Sequence, residues 1–307
     1  MKVVYSKQYA VNLGDHPWNT SKYELVLQQL KGRGILTDAD LIPAEMADDE
    51  EILRVHTADY VQKIYDLSFS PEEEEALEIP LTDQTIDMFW LSAGGTLQAS
   101  EQALRDGICV HLGGGFHHAF AGYGSGFCLI NDIAVSVRSL IERNLIRRAL
   151  VVDCDLHQGD GTARIFRNDP NVFTFSIHQK RNFPYFKQRS DFDVDLENGA
   201  TDEVYLDRLA GALEQIYRED GPFDFLHYQA GADPYREDAL SGLAITIEGL
   251  EKRDSLVLDG AAALGIPVTV TLGGGYAPKV SDVVSIHVNT ILAALRAAEG
   301  FRKQTHV

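Results

Sequence analysis

A chain of 307 residues, 45% of them apolar and 24% charged, has the composition of an ordinary globular protein, which excludes disordered and fibrous classes. Its 46 Asp and Glu against 27 Lys and Arg leave a formal charge of −19 and a pI near 4.8, a field that repels nucleic acid and anionic membranes. No apolar run reaches the ~20 residues of a membrane helix, the N-terminal MKVVYSKQYA offers no secretory core, and Cys109, Cys128 and Cys154 lack CxxC spacing, so no disulfide framework is expected and a reducing cytoplasm fits.

In chain order, residues 2–6 read as a strand, and 21–31 and 57–67 as helices. The tract 70–80, SPEEEEALEIP, sets its glutamates just after Pro71, where acidic groups suit the positive end of a helix dipole; it reads as a solvated helix start. A helical pattern over 83–105 leads to a strand at 107–112, a helix at 132–144 and strands at 149–153 and 172–177. Helix 202–219, strand 223–229, helix 247–264, strand 268–272 and helix 280–298 complete the series. Runs such as ALVVD, VFTFSI and VTVTL are near-continuously apolar, as in a parallel sheet covered on both faces. The alternation predicts one α/β/α layered domain over residues 1–307, with no linker and no internal repeat.

In that architecture ligands gather beyond the carboxyl ends of the strands, and the chemistry-bearing residues fall there. Strand 107–112 runs into GGGFHH with His117 and His118, and 149–153 into CDLHQGDG with Asp155, His157 and Asp160. Strand 223–229 runs into AGAD with Asp233, and 268–272 into GGGY with Tyr276. In extended chain Asp153, Asp155 and His157 point to one side. Asp155, His157 and Asp233 suit a catalytic Zn²⁺, which takes three protein ligands and leaves a position open for water. Read alone, an Asp-x-His pair is more simply an aspartate capping a turn beside a core histidine; the other strand ends favour the metal. His117 and His118 have the neutral-range pKa of acid–base groups, and Asp153 and Asp160 are available to fix their tautomers. Two surface histidines in a glycine loop are the plainer alternative. Tyr276 could donate to an oxyanion. Phe127 and Phe183 line an apolar slot or pack in the core, and Cys128 reads as a small buried hydrophobe. His16, His56, His111, His178, His227, His287 and His306 read as structural or surface residues. GxSxG and P-loop signatures are absent.

The strings HLGGGFHHA (111–119), SGFCLIND (125–132), VVDCDLHQGDGT (151–162), TFSIH (174–178), AGADP (230–234) and TLGGGY (271–276) together resemble the histone deacetylase superfamily, including bacterial deacetylase-like amidohydrolases. His16-Pro17 and HTADYV from His56 extend the resemblance. It implies a three-layer α/β/α arginase/deacetylase-like fold with a mostly parallel sheet of about eight strands. It also implies Zn²⁺, with Fe²⁺ as the alternative ion, on Asp155, His157 and Asp233. The dyad would be His117 and His118, backed by Asp153 and Asp160 respectively, with Tyr276 as the carbonyl-polarising phenol. Gly126 would present its carbonyl to the substrate amide, Phe127 and Phe183 would wall the acyl-lysine tunnel, and a structural K⁺ would sit near Asp153, Asp155, His157, Ser176 and Ile177. Lys22 in HPWNTSK stands where many members carry Arg, a pattern closest to class IV, and Gln158 replaces a second histidine. Asp233 is followed by Pro234 and Tyr235, which argues against a two-metal ureohydrolase. The expected function is zinc-dependent removal of acetyl or longer acyl groups from N-ε-acyl-lysine in protein or peptide. Deacylation of an acylpolyamine or small metabolite and non-catalytic acyl-lysine binding are the other readings. Neither nucleic acid nor membrane is expected as a partner.

Overall fold

The computed structural model describes residues 1–304. Its strands are β1 (Lys2–Tyr5), β2 (Leu41–Pro43), β3 (Ile108–His111), β4 (Ala149–Asp153), β5 (Val172–Gln179), β6 (Phe192–Leu196), β7 (Phe225–Gln229) and β8 (Val268–Thr271). Among the described residues they form one eight-stranded sheet, ordered β2-β1-β3-β8-β7-β4-β5-β6, with every neighbouring pair parallel. β3, β4, β7 and β8 are buried at every position, as in a parallel sheet covered on both faces, and their few polar side chains (His111, Asp153, His227, Gln229, Thr269 and Thr271) are buried with them.

The helices are α1 (Lys22–Gly32), α2 (Asp49–Leu53), α3 (Ala58–Tyr65), α4 (Pro71–Leu77), α5 (Asp83–Asp106), α6 (Asp132–Glu142), α7 (Asp160–Ile165), α8 (Asp202–Glu219), α9 (Ile247–Leu264) and α10 (Val280–Gln304). They make the two outer layers. Because side chains alternate along a strand, Val3 and Val110 enter one apolar cluster with Val257, Leu258 and Ile291 of α9 and α10. Their neighbours Val4 and Cys109 enter a second, with Ala99 and Ala103 of α5 and Ile133 and Val137 of α6. The glutamate tract is α4: Ser70 caps it by accepting from the Glu73 N–H at 3.3 Å, and Glu73 accepts the Ser70 N–H at 2.8 Å.

The sequence pattern missed the two edge strands. β2 is three residues long and ends on Pro43, which only an edge tolerates. β6 (FDVDL) carries two aspartates that mask its apolar positions. One expectation about apolar runs needs correction. The stretch Val280–Phe301 reaches a mean hydropathy of 1.2 and is long enough to cross a membrane. It is instead a core helix, packed against α9, α1 and β3.

Candidate active site

β3, β8, β7 and β4 are neighbours at the middle of the sheet, so the loops leaving their carboxyl ends meet over its centre. The loop after β3 is pinned by Asp132 in the first turn of α6. Its carboxylate accepts the N–H groups of Gly115 at 2.9 Å and Phe116 at 2.7 Å, and the Thr96 hydroxyl at 2.5 Å. Thr96 and the Tyr9 hydroxyl bracket the His111 ring at 2.8 and 2.7 Å. His111 is therefore a structural histidine, and this network delivers His117 and His118 to the centre.

β4 stops at Asp153, and Asp155 and His157 lie in the bend beyond it. Strand alternation is thus not what aligns them. Each carboxylate instead turns the chain: Asp153 accepts the Asp155 N–H and Asp155 accepts the His157 N–H, both at 3.1 Å. Asp233 arrives on the loop after β7 and accepts the Leu156 N–H at 3.1 Å. Beneath both loops lies Arg253 of α9, fully buried beside Asp254 at 2.8 Å. Its guanidinium donates to the carbonyls of Gly231 at 2.6 Å and Cys154 at 3.2 Å, tying the two ligand-bearing loops together. Nothing in the pattern of the sequence singles this arginine out.

The donor atoms of Asp155, His157 and Asp233 lie within 4.8 Å of one another, and all three residues are buried. His157 Nδ1 is 3.2 Å from Asp155 Oδ1 and 3.1 Å from Asp233 Oδ2. The second contact lacks hydrogen-bond geometry, so Asp233 Oδ2 is a buried carboxylate oxygen without a partner. The backbone approaches closely here: a Cβ on Gly274 would stand 2.2 Å from that same oxygen and 2.9 Å from Asp155 Oδ2. Burial and repulsion from Asp155 raise the Asp233 carboxyl to about 7. Burial opposes charge on His157, but the two carboxylates outweigh it and raise its pKa to about 10. The pocket is built to hold positive charge. Two carboxylates and one imidazole with an unpartnered oxygen fit a divalent zinc or iron ion.

His117 Nδ1 and Asp153 Oδ2 are 2.7 Å apart, as are His118 Nδ1 and Asp160 Oδ1. The two imidazoles stand 4.1 Å apart between ring centroids. Burial disfavours charge on both, yet they separate. Asp153 and Asp155 overcome burial at His117 and raise it to about 9. At His118, burial and the neighbouring His117 charge outweigh Asp160 and lower it to about 4. Without a bound ion, His117 is thus the more basic of the two and His118 the less.

Tyr276 closes the site from the loop after β8, with ring centroids 6.5 Å from His157 and 5.8 Å from Phe127. Burial, then Asp233 and Asp155, push its phenol well above 10, so it stays a hydrogen-bond donor. Two residues hold this loop. Asp238, buried, accepts the Tyr276 N–H at 2.6 Å, and the Lys22 ammonium, also buried, donates to the Gly273 carbonyl at 2.7 Å. Sequence reasoning noticed Lys22 but missed Asp238, an ordinary acidic residue within EDALSG. Phe183 packs edge-on at 4.8 Å from the His118 ring, and the Gly126 carbonyl accepts the Cys128 thiol at 3.3 Å. Next to them a narrow cavity of about 20 Å³ is lined by Phe127, His117, His118, Trp18, Tyr23 and Phe116. The residues expected around a structural K⁺ are adjacent, since Asp153 pairs in register with Ser176 and Ile177 follows it.

Of the remaining histidines, His16 accepts the Trp18 N–H at 3.1 Å, meets the Glu78 carbonyl at 3.0 Å and packs edge-on against Phe127 at 4.5 Å. His56 accepts the Asn131 N–H at 3.0 Å, His178 meets Ser176 at 2.9 Å and His227 meets Thr271 at 3.0 Å. Both ring nitrogens of buried His287 lack partners. His306 lies outside the described residues. Cys128 is buried and its thiol is pushed well above its usual pKa, as a packing residue requires.

The histone deacetylase domain family matches residues 16–291. An uncharacterised protein of Picosynechococcus sp. is 39% identical over 286 residues, covering 93% of this chain and 95% of that protein. The acetoin utilization protein AcuC of Bacillus subtilis is 31% identical over 274 residues (81% and 70%), and histone deacetylase 2 of Arabidopsis thaliana is 27% identical over 304 residues (95% and 78%). The crystal structure of the HDA15 HD domain superposes with a TM-score of 0.77 over 98% of this chain and 94% of that one, at 19% identity.

Proposed function

Because the chain belongs to the histone deacetylase family, whose matching domain spans residues 16–291, we propose that it hydrolyses the amide of an N-ε-acyl-lysine with a divalent ion held by Asp155, His157 and Asp233. The observation that carries this reading is the convergence of that buried trio with two histidine–carboxylate pairs and a protonated phenol over one point of the sheet. The ion, Zn²⁺ or Fe²⁺, would supply Lewis acidity toward the amide carbonyl and acidify a water. His118, uncharged at neutral pH, takes the water's proton and returns it to the leaving amine. His117, held as imidazolium by Asp153, contributes positive charge beside the developing oxyanion, and the Tyr276 hydroxyl donates to that oxygen. The Gly126 carbonyl accepts the substrate amide N–H, and Phe127 and Phe183 shield the lysine stem from water. A structural K⁺ at the ends of β4 and β5 completes the proposal.

What supports acetyl and short acyl groups over long chains is the narrowness of the cavity. Trp18 and Phe116 both line it, each 5% exposed and packed edge-on at 5.5 Å. Additional methylenes would contribute about 0.8 kcal/mol each only where room exists; here they meet rings. The test is a panel of acetyl-, octanoyl- and myristoyl-lysine, each on peptide and polyamine carriers, before and after metal stripping. The expected result is turnover greatest for acetyl-lysine, lost on chelation and restored by Zn²⁺, with one ion per chain by elemental analysis. Full activity in the stripped protein would overturn the metal, and a myristoyl preference would overturn the short-chain reading.

A further inference from the structure

Phe183 belongs to the tunnel wall, and the chain leaves it as Pro184-Tyr185-Phe186. Two residues span at most about 7 Å, so Tyr185 emerges at the tunnel mouth. Tyr185 is 87% exposed and Phe186 89%; among the described residues the next most exposed large apolar side chain is Leu264 at 56%. These aromatics do not sit on a slack loop. The Lys187 ammonium donates to the carbonyls of Asn182 at 2.7 Å, Phe183 at 3.3 Å and Pro184 at 2.9 Å. The far end is fastened by Gln158, the neighbour of His157: its amide donates to the Gln188 carbonyl and accepts the Gln188 N–H, both at 2.8 Å. A histidine in place of Gln158 carries its donor and acceptor on opposite edges of the ring and could not close that pair. The loop is built to present two aromatic rings to solvent beside the catalytic tunnel.

We propose that Tyr185 and Phe186 grip the polypeptide flanking the acyl-lysine, making an acylated peptide or protein the preferred substrate over a free acyl-amine. The proposal rests on the acyl-amine hydrolase reading above and deepens it. A small acyl-amine has no chain beyond its amine-bearing stem to lie across the pair, whereas a peptide runs on to both sides of the acyl-lysine. Rigid aromatics offer contact area there at low conformational cost. Their size also selects the occupant. Aromatic side chains offer roughly 150–250 Å² each, so two fall short of the ~800 Å² per partner that a stable protein dimer needs. The formal charge of −19 opposes an anionic lipid surface.

The experiment compares the zinc-loaded wild type with the double variant Tyr185→Ser, Phe186→Ser. Kinetics are read on an acetyl-lysine nonapeptide, on free N-ε-acetyl-lysine and on N-acetylputrescine, and peptide binding is read by fluorescence anisotropy. The expected result is a fall of about tenfold in kcat/KM for the peptide, carried by KM, with the small substrates within about twofold of wild type. An equal fall on all substrates would make the loop a mere support for Phe183 and overturn the proposal; so would an unchanged peptide value. Loss of binding to phosphatidylserine vesicles, or of a dimer by sedimentation, with peptide affinity unchanged would assign the rings to another partner and overturn it as well. If the wild type turns over none of these amides, the hydrolase reading fails, while a tenfold loss of anisotropy-measured peptide affinity would still support the rim.

Discussion

His117 and His118 are adjacent in sequence and each holds a carboxylate at 2.7 Å, yet they settle on opposite sides of neutrality. The difference lies in company. Asp153 stands beside Asp155, so His117 feels two negative charges, while His118 has Asp160 and the positive charge of His117 itself. A base and a cation are thus made from one residue type by placement, the condition for running proton transfer and charge stabilisation at the same pH. Tyr276 adds a neutral donor whose proton the surrounding carboxylates keep in place. Tyr276→Phe removes that single hydroxyl and leaves the ring against Phe127 and His157. It should lower kcat roughly 10²–10³-fold, with metal content and thermal midpoint unchanged. Activity within about twofold of wild type would remove the phenol from the mechanism.

At the scale of elements, the loop Gly273–Tyr276 shows how closely backbone and ligands are fitted. Gly274 donates its N–H to Asp155 Oδ2 at 3.0 Å, and any side chain there would collide with both carboxylates. Gly274→Ala should therefore fold yet bind Zn²⁺ at least tenfold more weakly, read by competition with a chromophoric chelator; unaltered affinity would show that the carboxylates can yield. The residues of this loop were legible from sequence because a strand, three glycines and a tyrosine recur beside three other loaded strand ends. The α/β/α layering was legible for a related reason: β4 carries four apolar residues in five and β8 alternates Val with Thr, both β-branched, and both strands are buried throughout, as a doubly covered sheet requires. β2 and β6 were hidden because edge strands need so little apolar pattern. Arg253 and Asp238 were hidden because their role lies in backbone groups distant in sequence, Gly231 and Cys154 for one and Tyr276 for the other. Asp155 and His157 were grouped through an extended-chain argument, whereas turns made by the carboxylates bring them together.

Across the whole molecule, the sheet gathers negative charge at its centre and keeps its structural histidines neutral in the layers. Burial lowers His56 to about 4 and His111 and His227 to about 3. In the unfolded chain each returns to about 6.5. The unfolded state then binds more protons below that value, so the stability these residues contribute is complete above pH 6.5 and is lost as pH falls toward 3–4. Asp233, raised to about 7, works in the opposite sense over the same window, since its folded form is the one that takes up the proton. His117 and His157, at about 9 and 10, act only above pH 6.5. A bare pH–stability curve therefore mixes opposing groups, and a single substitution separates them. His227 lies in β7 with 0% exposure and a 3.0 Å contact to Thr271, and burial is what lowers its pKa. Moving from pH 7 to 5 should cost the wild type about 2 kcal/mol through this residue alone, at 1.36 kcal/mol per pKa unit. His227→Gln, which cannot charge, escapes that cost. Its stability deficit in urea should shrink by about 2 kcal/mol between pH 7 and pH 5. A deficit that stays constant would mean that His227 charges as readily in the folded sheet as in the unfolded chain.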